Sequence, residues 1–103
     1  MSSSVFFTEQ FWCPLTVAAR IARVTPSGEL DVATVPMLDG ALRQGQREAD
    51  VVVLDLAGVV FMDSSGARLL AATCRRMRWS RGRLVLDAVP DPVDRLLRLV
   101  AAG

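Results

Sequence analysis

A chain of 103 residues, 51% of it apolar, is enough for one small domain built around a single core. Twelve basic residues against eleven acidic ones leave a net charge of +1, so charge alone supplies no long-range field for capturing nucleic acid. The basic residues are all arginine, no histidine is present to act as general base or metal ligand, and Cys13 and Cys74 are too few for a zinc site or a disulfide framework.

The first fourteen residues hold Phe6, Phe7, Phe11 and Trp12, four of the six aromatic residues. They contain no basic run and no long apolar stretch, so neither a signal peptide nor a membrane span is expected. Residues 1–14 read as an added strand or an arm packed on the core, with a self-association patch as the sharper alternative. The domain proper is expected over 15–103. Leu15, Val17, Ala19 and Ile21 alternate with Thr16, Ala18, Arg20 and Ala22, which predicts a strand or a bent pair of strands. Pro26-Ser27-Gly28 then punctuates the chain.

Thr34 is placed to cap a helix with Pro36 in its first turn and with Val35, Leu38, Ala41 and Leu42 on one face. Gly40 and Gly45 each cost that helix about 1 kcal/mol relative to alanine, so it must lean on a sheet. Val51 to Leu56, a short run rich in β-branched residues, reads as a buried central strand. Ala67, Leu70, Ala71, Cys74 and Met77 follow at helical spacing, with Leu70, Cys74 and Met77 expected to pack on that strand. Arg81-Gly82 ends the helix before a strand over Arg83–Asp87. Asp91 is placed to cap a last helix with Pro92 at its first position and Val93, Leu96, Leu97 and Val100 as its core stripe. Strands alternating with helices predict an α/β fold, a mixed sheet of four or five strands packed with three to four helices.

The stretch Val59-Val60-Phe61-Met62-Asp63-Ser64-Ser65-Gly66 is the most informative. It sets two hydroxyls beside a carboxylate where an apolar run gives way to the helical pattern. Free N–H groups and the positive end of the helix dipole make such a start a good seat for an anion. Serine and aspartate are also the commonest helix caps, since their oxygens accept from N–H groups left unsatisfied there. On these residues alone, cap and modification site both stand.

Resemblance over nearly the whole chain separates them. Ser27-Gly28-Glu29-Leu30-Asp31, Val52 to Val59, Phe61-Met62-Asp63-Ser64-Ser65-Gly66, Gly82-Arg83-Leu84-Val85-Leu86 and Val93-Asp94-Arg95-Leu96-Leu97 occur in this order. From about Leu15 to Val100 the chain resembles the STAS-domain anti-sigma factor antagonists of bacteria. The resemblance implies a small STAS-type fold and a non-enzymatic binding module that takes an anti-sigma factor away from its sigma factor. It implies phosphorylation of Ser64 by that anti-sigma factor, itself a serine kinase, and loss of the partnership once the phosphate is on. Asp31, Asp63, Ser65 and Gly66 match the surround of the phosphorylated position. ATP and magnesium would belong to the kinase, and a phosphatase would reset the switch. Ala67 departs from the family, where a larger leucine is usual, and the last helix, ending at Gly103, lacks the usual tail.

No cofactor, metal, direct nucleic-acid contact or membrane contact is expected, the setting is a reduced cytoplasm, and the state a monomer or weak homodimer. The alternative function is a STAS scaffold or transport-accessory subunit that binds constitutively and never carries phosphate. Asp55 and Asp63 invite comparison with a phospho-receiver, but that chemistry calls for a lysine and the chain has none. Nothing places them across a cleft as a hydrolase pair, and Asp55, inside an apolar strand, is expected to serve a structural hydrogen bond. No phosphate loop, dinucleotide-binding glycine motif or nucleophile elbow is present. Arg75, Arg76, Arg78 and Arg81 crowd the end of the serine helix, where they complement its negative terminus or form a docking patch for an acidic surface. Met37, Met62 and Met77 read as core fillers.

Overall fold

Polar and apolar residues alternate through the first third of the chain, and that period-two pattern folds as four strands: β1 (Ser2–Thr8), β2 (Phe11–Ala18), β3 (Ile21–Val24) and β4 (Ser27–Leu30). The computed structural model describes residues 1–102 and continues with α1 (Val35–Glu48), β5 (Val51–Asp55), β6 (Gly58–Met62), α2 (Ser64–Trp79), β7 (Arg83–Asp87) and α3 (Asp91–Ala102). Strand β2 pairs antiparallel with β1, β3 and β4. The parallel pairs β3–β5, β5–β7 and β4–β6 complete one mixed sheet. The helices alternate with the later strands as expected, and there are three of them.

The sheet has seven strands where four or five were expected, and the backbone explains the difference. Leu15↔Val24 and Trp12↔Ser27 lie on one antiparallel register, bridged by the Thr25 N–H donating to the Pro14 carbonyl at 3.1 Å. β3 and β4 are therefore one bent strand, interrupted at Pro26, which has no N–H to give. β5 and β6 are separated by a turn at Leu56-Ala57, across which the pairing with the β3/β4 strand shifts by a residue. There the Asp55 carboxylate accepts the Ala57 N–H at 2.9 Å, the structural role expected of it. The remaining addition is β1, supplied by the aromatic segment.

Phe11, Cys13, Leu15 and Val17 of β2 turn inward, as do Ala22, Val24, Val52 and Leu54, while Trp12, Thr16, Ile21 and Arg23 stay exposed. α1 covers β1, β2, β3 and β5 through Leu38, Ala41 and Leu42. α2 packs chiefly against β7, α1 and α3. The aromatic segment divides between core and surface. Phe11 is buried and Phe6 is half-buried against Gly40 of α1, whereas Phe7 and Trp12 are exposed, their rings 5.7 Å apart. β5 is central, between β3 and β7, and its Val52 and Leu54 are fully buried, as the sequence led us to expect.

Three local readings change. The buried side of α2 is Ala67, Leu70, Thr73 and Met77, with Cys74 only half-buried. Thr73 is tolerated there because its hydroxyl donates to the Leu69 carbonyl at 2.8 Å. Thr34 occupies the position before α1 but makes no side-chain cap; its hydroxyl donates to the Glu29 carbonyl at 2.7 Å instead. Asp91 is the first residue of α3, with Pro92 following it inside the first turn.

Candidate functional site at the start of α2

Asp63 has extended backbone angles (φ −96°, ψ −176°) and precedes the first helical residue, Ser64. Its carboxylate Oδ1 accepts the backbone N–H of Ser65 at 2.9 Å and of Gly66 at 3.3 Å, and also the Ser65 hydroxyl. Two donors that a helix start leaves orphaned are thereby satisfied. These bonds favour the charged form. The Ser65 hydroxyl is the largest cause, with the two N–H groups and the nearby Arg68 adding to it, and partial burial opposes. Together they hold the carboxyl below the usual carboxylate range.

The two serines are consequently unlike. Ser65 is half-buried and its hydroxyl is engaged by Asp63, while Ser64 is exposed at the first position of the helix. Ser64 stands at the positive end of the helix dipole, which favours negative charge. The chain has no histidine to take the proton of its hydroxyl, and Asp63 commits Oδ1 to the cap.

Asp31 arrives at the same place from the neighbouring strand. Leu30 and Met62 are partners in the parallel β4–β6 pair, so Asp31 and Asp63 leave the sheet side by side at the carboxyl ends of adjacent strands. Parallel sheets characteristically bind ligands at these ends, because the chain reverses there into helix N-termini. The Asp31 carboxylate accepts the N–H of Ala33 at 2.9 Å and of Thr34 at 3.2 Å. The Thr34 hydroxyl in turn accepts the Asp31 N–H at 3.0 Å. This reciprocal arrangement fixes the turn into α1.

The glycines of the two motifs have distinct physical reasons. Gly28 sits at φ +113°, and a Cβ there would meet the Gln10 carbonyl oxygen at 2.5 Å. Gly66 is buried, and a Cβ on it would meet the Met62 and Leu30 side chains at 2.8 and 2.9 Å. It belongs to the site by letting α2 approach the strand ends, not by presenting a contact surface.

Residues beyond those expected complete the site. The β4–β6 register slips between Gly28↔Val59 and Glu29↔Phe61, leaving Val60 as the extra residue of a bulge. The bulge turns Val60 and Phe61 both outward, 77% and 52% exposed, and Val32 just past Asp31 is equally open. An apolar rim therefore borders the serine and the two carboxylates. Beside it lies an open depression of about 610 Å³ lined by Glu29, Asp31, Thr34, Val60 and the β1–β2 turn at Thr8–Gln10. A signal for the rim was present in the sequence. Four consecutive apolar residues, Val59 to Met62, cannot all face inward from a strand with one buried side.

A single bent mixed sheet, one helix start carrying Asp-Ser-Ser-Gly, and a second aspartate brought beside it define a class. The STAS domain model matches residues 14–102, and the chain belongs to that family. It is 31% identical over 88 residues to the anti-sigma-B factor antagonist of Staphylococcus aureus, covering 82% of this chain and 79% of that protein. The fold is also that of the anti-sigma factor antagonist SpoIIAA in its unphosphorylated form (TM-score 0.72, 21% identity, 88% of this chain and 82% of that one). Bacillus SpoIIAA in the phosphorylated form superposes as well (TM-score 0.71, 20% identity, 87% and 86%). Among the described residues no helix is long and apolar enough to cross a membrane, and no cluster of three or more potential metal ligands occurs.

Proposed function

We propose that this protein is an anti-sigma factor antagonist switched by phosphorylation of Ser64. Unphosphorylated, it binds an anti-sigma factor that is also a serine kinase, and a cytoplasmic sigma factor is released. The observation that carries the reading is the asymmetry of the two serines: the Ser65 hydroxyl is tied to Asp63, and Ser64 is exposed. Membership of the STAS family and similarity to named antagonists support the same conclusion.

In the reaction, the Ser64 Oγ forms a bond to the γ-phosphorus of ATP as the bond to the ADP oxygen breaks. The hydroxyl proton passes to a base on the kinase, and a phosphatase later hydrolyses the ester. The role of this chain is positional. Asp63 and Gly66 fix the first turn of α2, and Asp31 and Thr34 fix the adjoining loop. Val32, Val60 and Phe61 offer the apolar area from which a partner gains affinity. A phosphoserine adds about −1.5 to −2 charges beside two carboxylates. A partner face matched to a neutral hydroxyl then meets a charge it does not pair, and the complex is lost.

The test is incubation with the candidate kinase and ATP, followed by peptide mapping. Phosphate is expected on Ser64 and is lost in Ser64→Ala. Labelling that persists in Ser64→Ala overturns the assignment, and stable binding to the anti-sigma factor with no phosphate transfer favours a constitutive scaffold.

A further inference from the structure

The two ends of the sheet differ in charge. Asp31 and Asp63 mark the carboxyl ends of β4 and β6. At the opposite end the starts of β3, β5 and β7 meet the last turns of α1 and α2. There Arg20, Arg43, Arg47 and Arg76 line an open cavity of about 310 Å³ together with Gln46 and Asp50. Four guanidinium groups face one carboxylate in that lining.

Two of the four are neutralised locally. Arg20 holds Asp50 through bonds of 2.8 and 3.2 Å, and Arg43 reaches both Asp39 oxygens at 3.1 Å. Arg47 and Arg76 enter no ion pair among the described residues. Arg76 is half-buried and its bonds go to neutral acceptors, the Gln46 amide oxygen at 2.7 Å and the Thr73 hydroxyl at 3.5 Å. A guanidinium has five N–H donors, so most of those on Arg76 lack a protein partner. Burial and the neighbouring Arg43 both lower its pKa, and the Asp39 carboxylate opposes them only in part.

Complementing the end of α2 does not account for this placement. Arg76 is held by Gln46 across the α1–α2 interface rather than by the terminal carbonyls of its own helix. What remains is a concavity of small-ligand size whose lining holds four arginines and one aspartate, two of those arginines outside any ion pair among the described residues and presenting planar donors that match phosphate oxygens in pairs. We infer that the cavity between α1, α2 and the starts of β3 and β5 binds a small phosphate-bearing molecule, at the end of the sheet remote from Ser64. The site rests on its own residues and stands whether or not Ser64 is phosphorylated.

The test is titration of the intact chain with inorganic pyrophosphate at fixed ionic strength, followed by calorimetry and amide NMR. Saturable binding is expected, with shifts centred on Gln46, Arg47, Asp50 and Arg76. Arg76→Gln weakens it about tenfold or more, the loss that one charged hydrogen bond implies. Arg47→Gln, an exposed change that leaves the fold intact, weakens it in the same direction. Arg75→Gln, outside the lining, leaves it unchanged. Non-saturable shifts reproduced by sodium chloride, or an equal loss in Arg75→Gln, overturn the site. Capture by vesicles containing phosphatidic acid without binding of soluble pyrophosphate overturns the small-ligand assignment.

Discussion

The Leu30 carbonyl accepts the backbone N–H of Asp63 at 3.1 Å. That bond continues the parallel β4–β6 pairing beyond Leu30↔Met62 and brings the loops carrying Asp31 and Asp63 together. Each aspartate then turns its carboxylate onto backbone N–H groups, one closing the turn into α1 and the other the start of α2. The negative charge around Ser64 is thus anchored by the fold itself, and the consequences are measurable.

Asp63 links the site to pH. Its folded-state carboxyl titrates below the ordinary 3.8, so its ionised form adds stability. That contribution is complete above a pH of about 4 and disappears as the pH falls through the lower folded value. Asp63→Asn keeps a neutral cap and removes only the charge. Urea melts should therefore show wild type ahead of Asp63→Asn at neutral pH, the gap closing in acid below the ordinary value. A gap that stays constant down to full protonation would refute the role given to the charge.

The motif glycines should rank by what an added methyl group meets. At Gly28 the obstacle is backbone, the Gln10 carbonyl, and the left-handed φ is itself strained for alanine. A cost of about 1–3 kcal/mol from strain alone is expected, with the clash added. At Gly66 the obstacles are the movable side chains of Met62 and Leu30. Overpacking of about 1–3 kcal/mol is partly offset by roughly 1 kcal/mol of helix propensity. Gly28→Ala should be the less stable of the two, and the reverse order in denaturant melts would contradict the geometry.

The core face of α2 makes a sharper comparison. Leu70 is 2% exposed, and Leu70→Ala should cost about 2–5 kcal/mol. Cys74, one turn further on, is half-buried, and Cys74→Ala should cost under about 1 kcal/mol. Equal losses would mean that α2 is rotated about its axis relative to the arrangement described.

The difference between Leu70 and Cys74 also shows where sequence reasoning reached and where it stopped. Helical spacing found α2 and its first buried residues. It could not rank Thr73 against Cys74, since a threonine is admitted to the interior only by its bond to the Leu69 carbonyl. β5 was legible because both its neighbours are parallel strands and its apolar run is continuous. The division of β3 from β4 hangs on the missing N–H of Pro26, which marks a turn from sequence but not one that preserves register on both sides. At the site, Asp63 was readable as a cap from its position alone. The adjacency of Asp31 came only by resemblance, because nothing local predicts that Leu30 pairs with Met62. The bulge at Val60 depends on the same long-range pairing.

The proposed phosphorylation of Ser64 should act locally. Ser64 is exposed and its addition of charge falls at a helix start, where the dipole favours negative charge and solvent surrounds the side chain, so the fold has no cause to rearrange. Ser64→Asp should keep the thermal stability and leave amide shifts confined to the first turn of α2 and the adjoining Asp31 loop. In the proposed complex with an anti-sigma factor, the same carboxylate would join Asp31 and Asp63 within an apolar rim of Val32, Val60 and Phe61. Burying it unpaired there costs several kcal/mol, and binding should weaken about tenfold or more. Ser64→Ala should bind as wild type does and escape phosphorylation. Val60→Asp should weaken binding without touching the serine, which separates the rim from the switch. Calorimetry with the cognate partner and amide spectra of the three variants measure both sides. Undiminished binding by Ser64→Asp, or shifts spread across the sheet to β7, would rule out a local charge mechanism.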